Sequence, residues 1–192
     1  MKYISTRDHA AQPRKVTAAE AILKGLCDDG GLFVPDQIPK LTHGDVERLI
    51  GMTYPQRAAY VLSLFLPDYD PTLLEGDCHT AYAHERFPGG AAPLYPIEDG
   101  FYSLELWHGP TCAFKDMALQ LMPRLLSRAL KMTGVGETAY ILVATSGDTG
   151  KAALEGYRDV DGVKIAVFYP NDGVSPMQKR QMCTQEGNNT YV

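Results

Sequence analysis

The spacing of apolar and polar positions divides the chain into two unlike parts. From Thr17 to Phe87, apolar residues recur at helical spacing in short stretches that loops separate. After the flexible joint "PGGAAP", short and continuous apolar runs alternate with amphipathic helical stretches. The pattern therefore predicts a mostly helical region over residues 1–92 and an α/β region over residues 93–192.

Start signals predict the helices of the first region. Thr17 and Glu20 have the spacing of a capping box ahead of "AILKGL", and Gly30 begins a glycine pair that serves as the stop. Proline positions and apolar spacing predict three more helices, at "GDVERLIGM", "PQRAAYVLSLFL" and "PTLLEGDCHTAYAHERF". Between them, "DDGGLFVP" predicts a turn into a short extended segment, because Pro35 cannot continue a regular helix.

The second region has the pattern of βαβ units. Strands are predicted at "GFYSLELWHG", "TAYILVAT" and "VKIAVFYP", and the last two are continuous apolar runs typical of parallel strands covered on both faces. Helices are predicted from about Asp116 to Met132, at "GKAALEGYRDV", and at "SPMQKRQMCTQ" with Ser175 as N-cap. The sequence thus predicts an open, doubly wound parallel sheet. Because "NTYV" only begins a further strand, we expect a sheet that is truncated at its C-terminal end.

Composition and charge argue against several classes of function. With 18 basic and 23 acidic residues the net charge is −5, and no basic run exceeds two adjacent residues, so neither nucleic acid nor a membrane surface is an expected partner. The longest apolar helical run, "AAYVLSLFL", is too short to span a bilayer, and the first residues lack the apolar core of a signal peptide. The four cysteines form no C-x-x-C pair, which argues against a metal site and favours a reducing, cytoplasmic location.

The stretch "ATSGDTGKA" joins a predicted buried strand to a helix. It therefore lies at the carboxyl edge of the sheet, where open α/β folds bind ligands. Gly147 and Gly150 allow a tight turn, Ser146 and Thr149 offer hydroxyl groups, and the free N–H groups of the helix start favour an anion. The alternative is an ordinary helix start at which Asp148 complements the helix dipole.

Two common phosphate-binding motifs are excluded for this stretch. A Walker A loop would need glycine at position 145 and serine or threonine at position 152, where the chain has Thr145 and Ala152. The G-x-G-x-x-G fingerprint of dinucleotide-binding loops is absent as well.

A second candidate is Lys115, in "LWHGPTCAFKDMALQLM", where a Gly-Pro loop gives way to a helix. Apolar neighbours such as Phe114 and Met117, together with the positive end of the helix, favour an uncharged amine. An uncharged lysine amine is what Schiff-base chemistry needs, since only the free amine attacks a carbonyl. Asp116 acts in the opposite sense unless its side chain turns away. A solvated lysine at a helix start is the alternative interpretation.

Three motifs in order resemble the threonine synthase family, among the pyridoxal-phosphate enzymes of fold type II. They are "HGPTCAFKD", "ATSGDTGKAALEGY" and "YPNDGVSPMQKRQM". The early stretches "DDGGLFVP" and "MTYPQRA" resemble the N-terminal region of the same family. The resemblance therefore extends over essentially the whole chain.

The resemblance implies a cofactor, a reaction and a set of site residues. Lys115 would hold pyridoxal 5'-phosphate through a Schiff base and act as the catalytic base, with O-phospho-L-homoserine and water converted to L-threonine and phosphate. The implied cofactor-binding residues are Lys115, Phe114, Asp148 and Thr149. The implied substrate-binding residues are Thr145, Ser146, Gly147, Thr149 and Lys151.

The same resemblance implies that part of the site is missing from this chain. The family's loop for the cofactor phosphate and its partner for the pyridine nitrogen lie beyond residue 192, so we expect these residues to be inactive alone. Two alternatives stay open: a pyridoxal-phosphate lyase or dehydratase acting on another hydroxylated or phosphorylated amino acid, and a non-catalytic binding domain. The sequence does not indicate an oligomeric state.

Overall fold

The structure, a computed structural model, describes residues 1–192 and separates into two compact units. The first unit comprises Met1–His79 and Arg128–Gly136, and the second comprises Thr80–Ser127 and Glu137–Val192. The chain thus returns to the first unit after the second has begun. The division at residues 92 and 93 stays a prediction about domains.

The first unit contains helices and a small antiparallel ribbon. Its elements are β1 (Tyr3–Ser5), α1 (Ala18–Lys24), β2 (Phe33–Pro35), α2 (His43–Ile50), α3 (Tyr54–Phe65) and α4 (Pro71–Ala81), the last of which ends just inside the second unit. Strands β1 and β2 pair with Ile4 opposite Val34. The four predicted helices and the short extended segment are confirmed.

The second unit contains a hairpin and a parallel sheet with its helices. Its elements are β3 (Leu94–Glu98), β4 (Phe101–Leu104), α5 (Asp116–Leu119), α6 (Met122–Met132), β5 (Ala139–Ala144), α7 (Asp148–Tyr157), β6 (Val163–Phe168), α8 (Pro176–Cys183) and β7 (Thr190–Tyr191). The C-terminal part of α6 belongs to the first unit. Strands β5, β6 and β7 are parallel and lie in that order, which confirms the predicted α/β class.

Helix starts follow the predicted capping, whereas two helix ends do not follow the predicted stops. At α1, the Glu20 N–H donates to Thr17 Oγ1 over 3.2 Å, and the Thr17 N–H donates to the Glu20 carboxylate over 2.7 Å. The helix ends earlier than predicted, because Gly25 adopts a left-handed φ of 71°. Gly30 instead closes a separate turn by donating to Cys27 O. Helix α4 likewise ends at Ala81 rather than near Phe87.

The helix predicted from Asp116 to Met132 is interrupted. Helix α5 ends at Leu119 and α6 begins at Met122, with Pro123 in the first turn of α6. Because Pro123 has no N–H, it cannot donate to the carbonyl of Leu119, and a continuous helix would lose that hydrogen bond.

The prediction that both faces of the sheet are covered is wrong for this chain. Ile141 and Ile165 pair in register on the face against which α7 packs. On the opposite face of β5, Tyr140 and Leu142 are 66% and 70% exposed. The chain therefore supplies a helix layer to one face only at this strand.

The predicted strand at "GFYSLELWHG" is shorter than expected and has a partner that the pattern did not reveal. Only Phe101–Leu104 forms β4, and it pairs with β3 in an antiparallel hairpin. The turn contains Asp99-Gly100, with Gly100 at a φ of 74°, and an Asp-Gly pair is a strong hairpin signal. No helix in the structure has the length and apolar character needed to span a bilayer.

Candidate active site

Lys115 lies at the N-cap position of α5, directly after the Gly-Pro loop. Its Nζ lies 4.3 Å from the centroid of the Phe114 ring, and no carboxylate lies within ion-pair distance of it. The lysine is half-buried, whereas Phe114 is 62% exposed. The structure thus presents a primary amine that is not engaged by an acidic side chain. The predicted uncharged state of this amine stays a prediction.

The Asp116 carboxylate turns away from Lys115 and into the loop that precedes it. One oxygen accepts from the Thr111 N–H over 2.8 Å, and the other accepts from Thr111 Oγ1 over 2.7 Å. Burial raises the pKa of Asp116, and the hydrogen bonds from Thr111 oppose that rise. Because the carboxylate is committed to the loop, it does not form an ion pair with the lysine amine.

The loop between Gly109 and Asp116 is folded tightly around this carboxylate. A Cβ added at Gly109 would lie 2.5 Å from Asp116 Oδ2, so only glycine fits there. Cys112 adopts a left-handed φ of 58°, and its N–H donates to Gly109 O over 3.1 Å. The motif "GPTCAFKD" therefore specifies a compact turn that ends at the lysine.

The second candidate motif follows β5 as predicted. The Thr145 N–H donates to Phe168 O over 2.9 Å, which continues the pairing with β6 by one residue. Thr145 Oγ1 accepts from the Gly147 N–H over 3.2 Å, and Ser146 is exposed. Helix α7 begins at Asp148, so the first-turn N–H groups and the side chains of Ser146 and Asp148 lie at the carboxyl edge of the sheet.

Gly150 allows α7 to begin close against the end of β5. A Cβ at this position would lie 2.3 Å from Thr145 Cγ2 and 3.0 Å from Val167 Cγ1. Thr149, on the same turn, is half-buried. Gly150 thus allows the helix to pack closely onto the sheet, while Ser146 and Thr149 beside it provide hydroxyl groups.

The structure adds Gln178, which the sequence analysis missed. Its Nε2 donates to Asp148 Oδ1 over 2.7 Å and lies 3.0 Å from where a Cβ of Gly147 would be. Gln178 is placed by the start of α8, where Ser175 Oγ accepts from the Gln178 N–H over 3.2 Å. Gln178 lies within "YPNDGVSPMQKRQM", one of the three stretches that carry the family resemblance, and that position was the available signal for it.

Lys151 has other partners in the structure. Its Nζ donates to Gln185 Oε1 and lies 3.8 Å from Glu155 Oε2. These groups compete with a substrate anion for the amine, so the substrate-binding role of Lys151 stays a prediction.

The two motifs lie in one unit on helices that pack against each other. Helix α5 carries Lys115 at its start, α7 follows the loop at residues 145–149, and α5 packs on α7. The close contact between them lies at Leu119 and Gly156, toward the C-terminal end of α7, so it joins the two helices within one unit rather than Lys115 to the loop. The roles of Lys115, Phe114 and the residues from Thr145 to Lys151 stay predictions.

Comparison with known proteins identifies the family. Residues 2–82 match the family described as "Threonine synthase N terminus". Threonine synthase of Pseudomonas aeruginosa is 40% identical over the whole chain, which covers 40% of that protein. The crystal structure of pyridoxal-phosphate-bound threonine synthase from Brucella melitensis is 40% identical, with a TM-score of 0.86 over 95% of this chain and 38% of that one. Yeast threonine synthase is 32% identical, with a TM-score of 0.88 over 98% of this chain and 39% of that one.

The fold is therefore that of the fold type II pyridoxal-phosphate enzymes. Because the matches run through both units and both candidate motifs, the chain belongs to the threonine synthase family. It spans about two fifths of the length of the relatives that it matches.

Proposed function

We propose that these residues supply the cofactor lysine and the substrate-facing loop of a threonine synthase, which converts O-phospho-L-homoserine and water to L-threonine and phosphate. The observation that carries the proposal is the Lys115 amine, which has no acidic partner. It follows a compact turn that hydrogen bonds between Thr111 and Asp116 hold in one conformation. Family membership supplies the reaction class.

The residues present fit pyridoxal 5'-phosphate. Lys115 offers a primary amine, the exposed Phe114 ring lies beside it, and Asp148 and Thr149 lie at the start of a helix that packs on α5. A lysine amine is the group that joins this cofactor to its enzymes. We assign Lys115, Phe114, Asp148 and Thr149 to the cofactor. When bound, pyridoxal phosphate supplies an electron sink that makes a carbanion on a neighbouring substrate carbon accessible.

The chain's own groups would bind the substrate and move its protons. Lys115 Nζ would take the proton from the substrate α-carbon and then one from the β-carbon, so that phosphate leaves from the γ-carbon. A proton is then delivered to the γ-carbon, water adds at the β-carbon, and Lys115 would return a proton to the α-carbon. The hydroxyl groups of Ser146 and Thr149, with the N–H groups that begin α7, bind the substrate carboxylate. Thr145 orders this loop by accepting from the Gly147 N–H.

We further propose that residues 1–192 are inactive alone and that the protein acts in the cytoplasm. In the family, groups outside this stretch hold the cofactor phosphate and the pyridine nitrogen. Release of phosphate from O-phosphohomoserine by these residues alone would contradict the proposed inactivity.

Borohydride trapping tests the cofactor assignment. The full-length polypeptide is incubated with pyridoxal phosphate, reduced and peptide-mapped, and the pyridoxyl label is expected on Lys115. Lys115→Ala should abolish that label. Lys164→Ala is the matched control, because Lys164 Nζ also lies over an aromatic ring, 5.6 Å from the Tyr140 centroid. A label that survives Lys115→Ala at the original level would refute the assignment.

Product analysis tests the reaction with the full-length polypeptide. Threonine formed from O-phosphohomoserine supports a synthase, whereas turnover of other hydroxylated or phosphorylated amino acids without threonine supports a lyase or dehydratase. Absence of any cofactor label on the full-length polypeptide would favour a binding domain.

A further inference from the structure

Asp116 and Thr111 are joined by two hydrogen bonds within the loop that carries Lys115. We call residues 109–116 the lysine loop. Within it, both oxygens of the Asp116 carboxylate accept from a single residue, through the Thr111 N–H at 2.8 Å and Thr111 Oγ1 at 2.7 Å. The two bonds tie the start of α5 to a residue five positions earlier. The contact is therefore a clasp across the segment that contains the lysine.

The surroundings of Asp116 leave this side chain little freedom. Asp116 is 0% exposed, and a Cβ at Gly109 would lie 2.6 Å from the Asp116 Cβ. The Asp116 N–H also donates to Ala113 O over 3.0 Å. A buried carboxylate that loses a hydrogen-bond donor cannot turn to water without opening the loop. The clasp and the loop geometry thus depend on each other.

The other end of α5 is fixed separately. A Cβ at Gly156 of α7 would lie 1.9 Å from Leu119 O, so the backbones of the two helices are in contact there. Lys115 itself lies inside the clasp, between Thr111 and Asp116, and its carbonyl accepts from the Leu119 N–H over 2.9 Å. The clasp therefore constrains the backbone on both sides of the lysine, at the point where the Nζ side chain leaves the helix start.

We propose that Asp116 is a positioning residue for Lys115, acting through Thr111 to hold the lysine loop closed. The proposal rests on the proposed function, in which Lys115 Nζ is the reacting group. Enzymes need such support because a misplaced reacting group can lower a rate by about 10²-fold per ångström. Asp116 itself touches neither substrate nor cofactor in this proposal.

Reductive methylation by formaldehyde and cyanoborohydride tests the clasp without the cofactor. The rate at each lysine is measured by peptide mapping for the wild-type chain, Thr111→Val and Thr111→Ser. Valine removes the hydroxyl donor, whereas serine keeps it. In Thr111→Val, the methylation rate of Lys115 should rise by on the order of tenfold, toward the rate of the exposed Lys40. The reason is that the loss of one hydrogen bond to a charged group shifts the opening equilibrium of the loop by about that factor. Thr111→Ser should keep the wild-type rate, and Lys164 should react equally in all three chains.

Two outcomes would overturn the proposal. A folded Thr111→Val chain with the wild-type Lys115 rate would show that the clasp does not position the lysine. Equal changes in Thr111→Val and Thr111→Ser would show that the hydroxyl donor is not responsible. If the valine variant does not fold, hydrogen exchange of the wild-type Thr111 amide decides: protection supports the clasp, and exchange at the rate of an open loop overturns it.

The test separates this inference from the proposed function. Formaldehyde reacts with the amine whether or not a cofactor site exists. A pyridoxyl label on a lysine other than Lys115 would refute the proposed function and leave the methylation result standing. Conversely, a correct label with an unchanged methylation rate in Thr111→Val would refute only the role of Asp116.

Discussion

Gly156 of α7 lies against the backbone of Leu119 in α5. A Cβ at position 156 would be 1.9 Å from Leu119 O and 2.8 Å from its carbonyl carbon. The carbonyl is available for this contact because Pro123, four residues later, cannot donate to it. One glycine and one proline therefore bring together the helix that carries Lys115 and the helix that follows the loop at residues 145–149.

Replacing Gly156 by alanine should destabilise the chain. The added methyl group meets backbone rather than a movable side chain, so we expect a loss of about 1–3 kcal/mol in the free energy of unfolding. Urea denaturation followed by circular dichroism measures it. Gly76→Ala is the matched control, since Gly76 lies inside α4 with nothing within 4 Å of its Cβ position and should gain about 0.5–1 kcal/mol. A neutral Gly156→Ala would contradict the close approach.

Asp45 should make the stability of the first unit depend on acidity. Hydrogen bonds from the Tyr60 hydroxyl and from Thr42 lower the pKa of Asp45 to about 2. Because the pKa is lower in the folded chain than the usual value of about 3.9, the stabilisation is fully present above about pH 5 and is lost as the pH falls toward 2.

Asp45→Asn should therefore lower the free energy of unfolding at neutral pH and flatten its decline between about pH 5 and pH 2. Urea denaturation at several pH values checks both effects. Asp99→Asn, in the exposed hairpin turn, should leave the curve as it is in the wild type. Parallel curves for wild type and Asp45→Asn would show that this carboxylate is not responsible.

Asp77 and Arg128 form a charged contact with two hydrogen bonds in the first unit. The Arg128 Nε and Nη2 groups both donate to the Asp77 carboxylate, the second over 2.9 Å, and the carboxylate raises the pKa of Arg128. Asp77 is 7% exposed. A guanidinium that loses this partner keeps part of its desolvation cost.

We expect Asp77→Ala to lower the free energy of unfolding by about 1.5–3 kcal/mol, the range for hydrogen bonds to charged groups. Glu75→Gln on the same helix breaks only an exposed pair with His79 at 3.9 Å and should change stability by less than about 0.5 kcal/mol. Thermal or urea unfolding compares them. Equal effects of the two substitutions would mean that the Asp77 contact adds no more to stability than an exposed ion pair.

Gln178 should order the loop that begins α7. Removing its donor in Gln178→Leu leaves Asp148 without a partner from α8, and we expect faster amide exchange at residues 145–149 with a loss of about 0.5–1.5 kcal/mol. Gln181→Leu, on the same helix, is the control and should leave exchange at these residues as it is in the wild type. Hydrogen exchange read by NMR or mass spectrometry tests this, and identical profiles for both variants would contradict it.

Much of the fold could be predicted because its signals are local. Capping residues such as Thr17 and Ser175 act on N–H groups a few positions away, so their effect is readable from spacing. The hairpin was missed although Asp99-Gly100 marked it, because β3 contains a proline and its apolar residues do not alternate clearly. The length of the helix after Lys115 was misjudged because Pro123 lies within an otherwise regular apolar pattern.

For the candidate site as well, local features could be predicted from the sequence and long-range contacts could not. The positions of Lys115 and of the Ser-Gly-Asp-Thr-Gly loop, each at the start of a helix, could be predicted from sequence, because glycine, proline and apolar spacing fix where helices begin. The contacts of their side chains could not, because those partners come from elsewhere in the chain: Gln178 for Asp148, and Gln185 for Lys151.

By itself, then, the sequence determined which segments form helices and strands and which of them carry reactive groups, since these depend on neighbours within a few residues. Only the tertiary structure decided which side chain Asp148 contacts and how closely Gly156 approaches Leu119. Those two outcomes depend on the space that a folded backbone leaves at one point, and no local pattern of residues encodes that space.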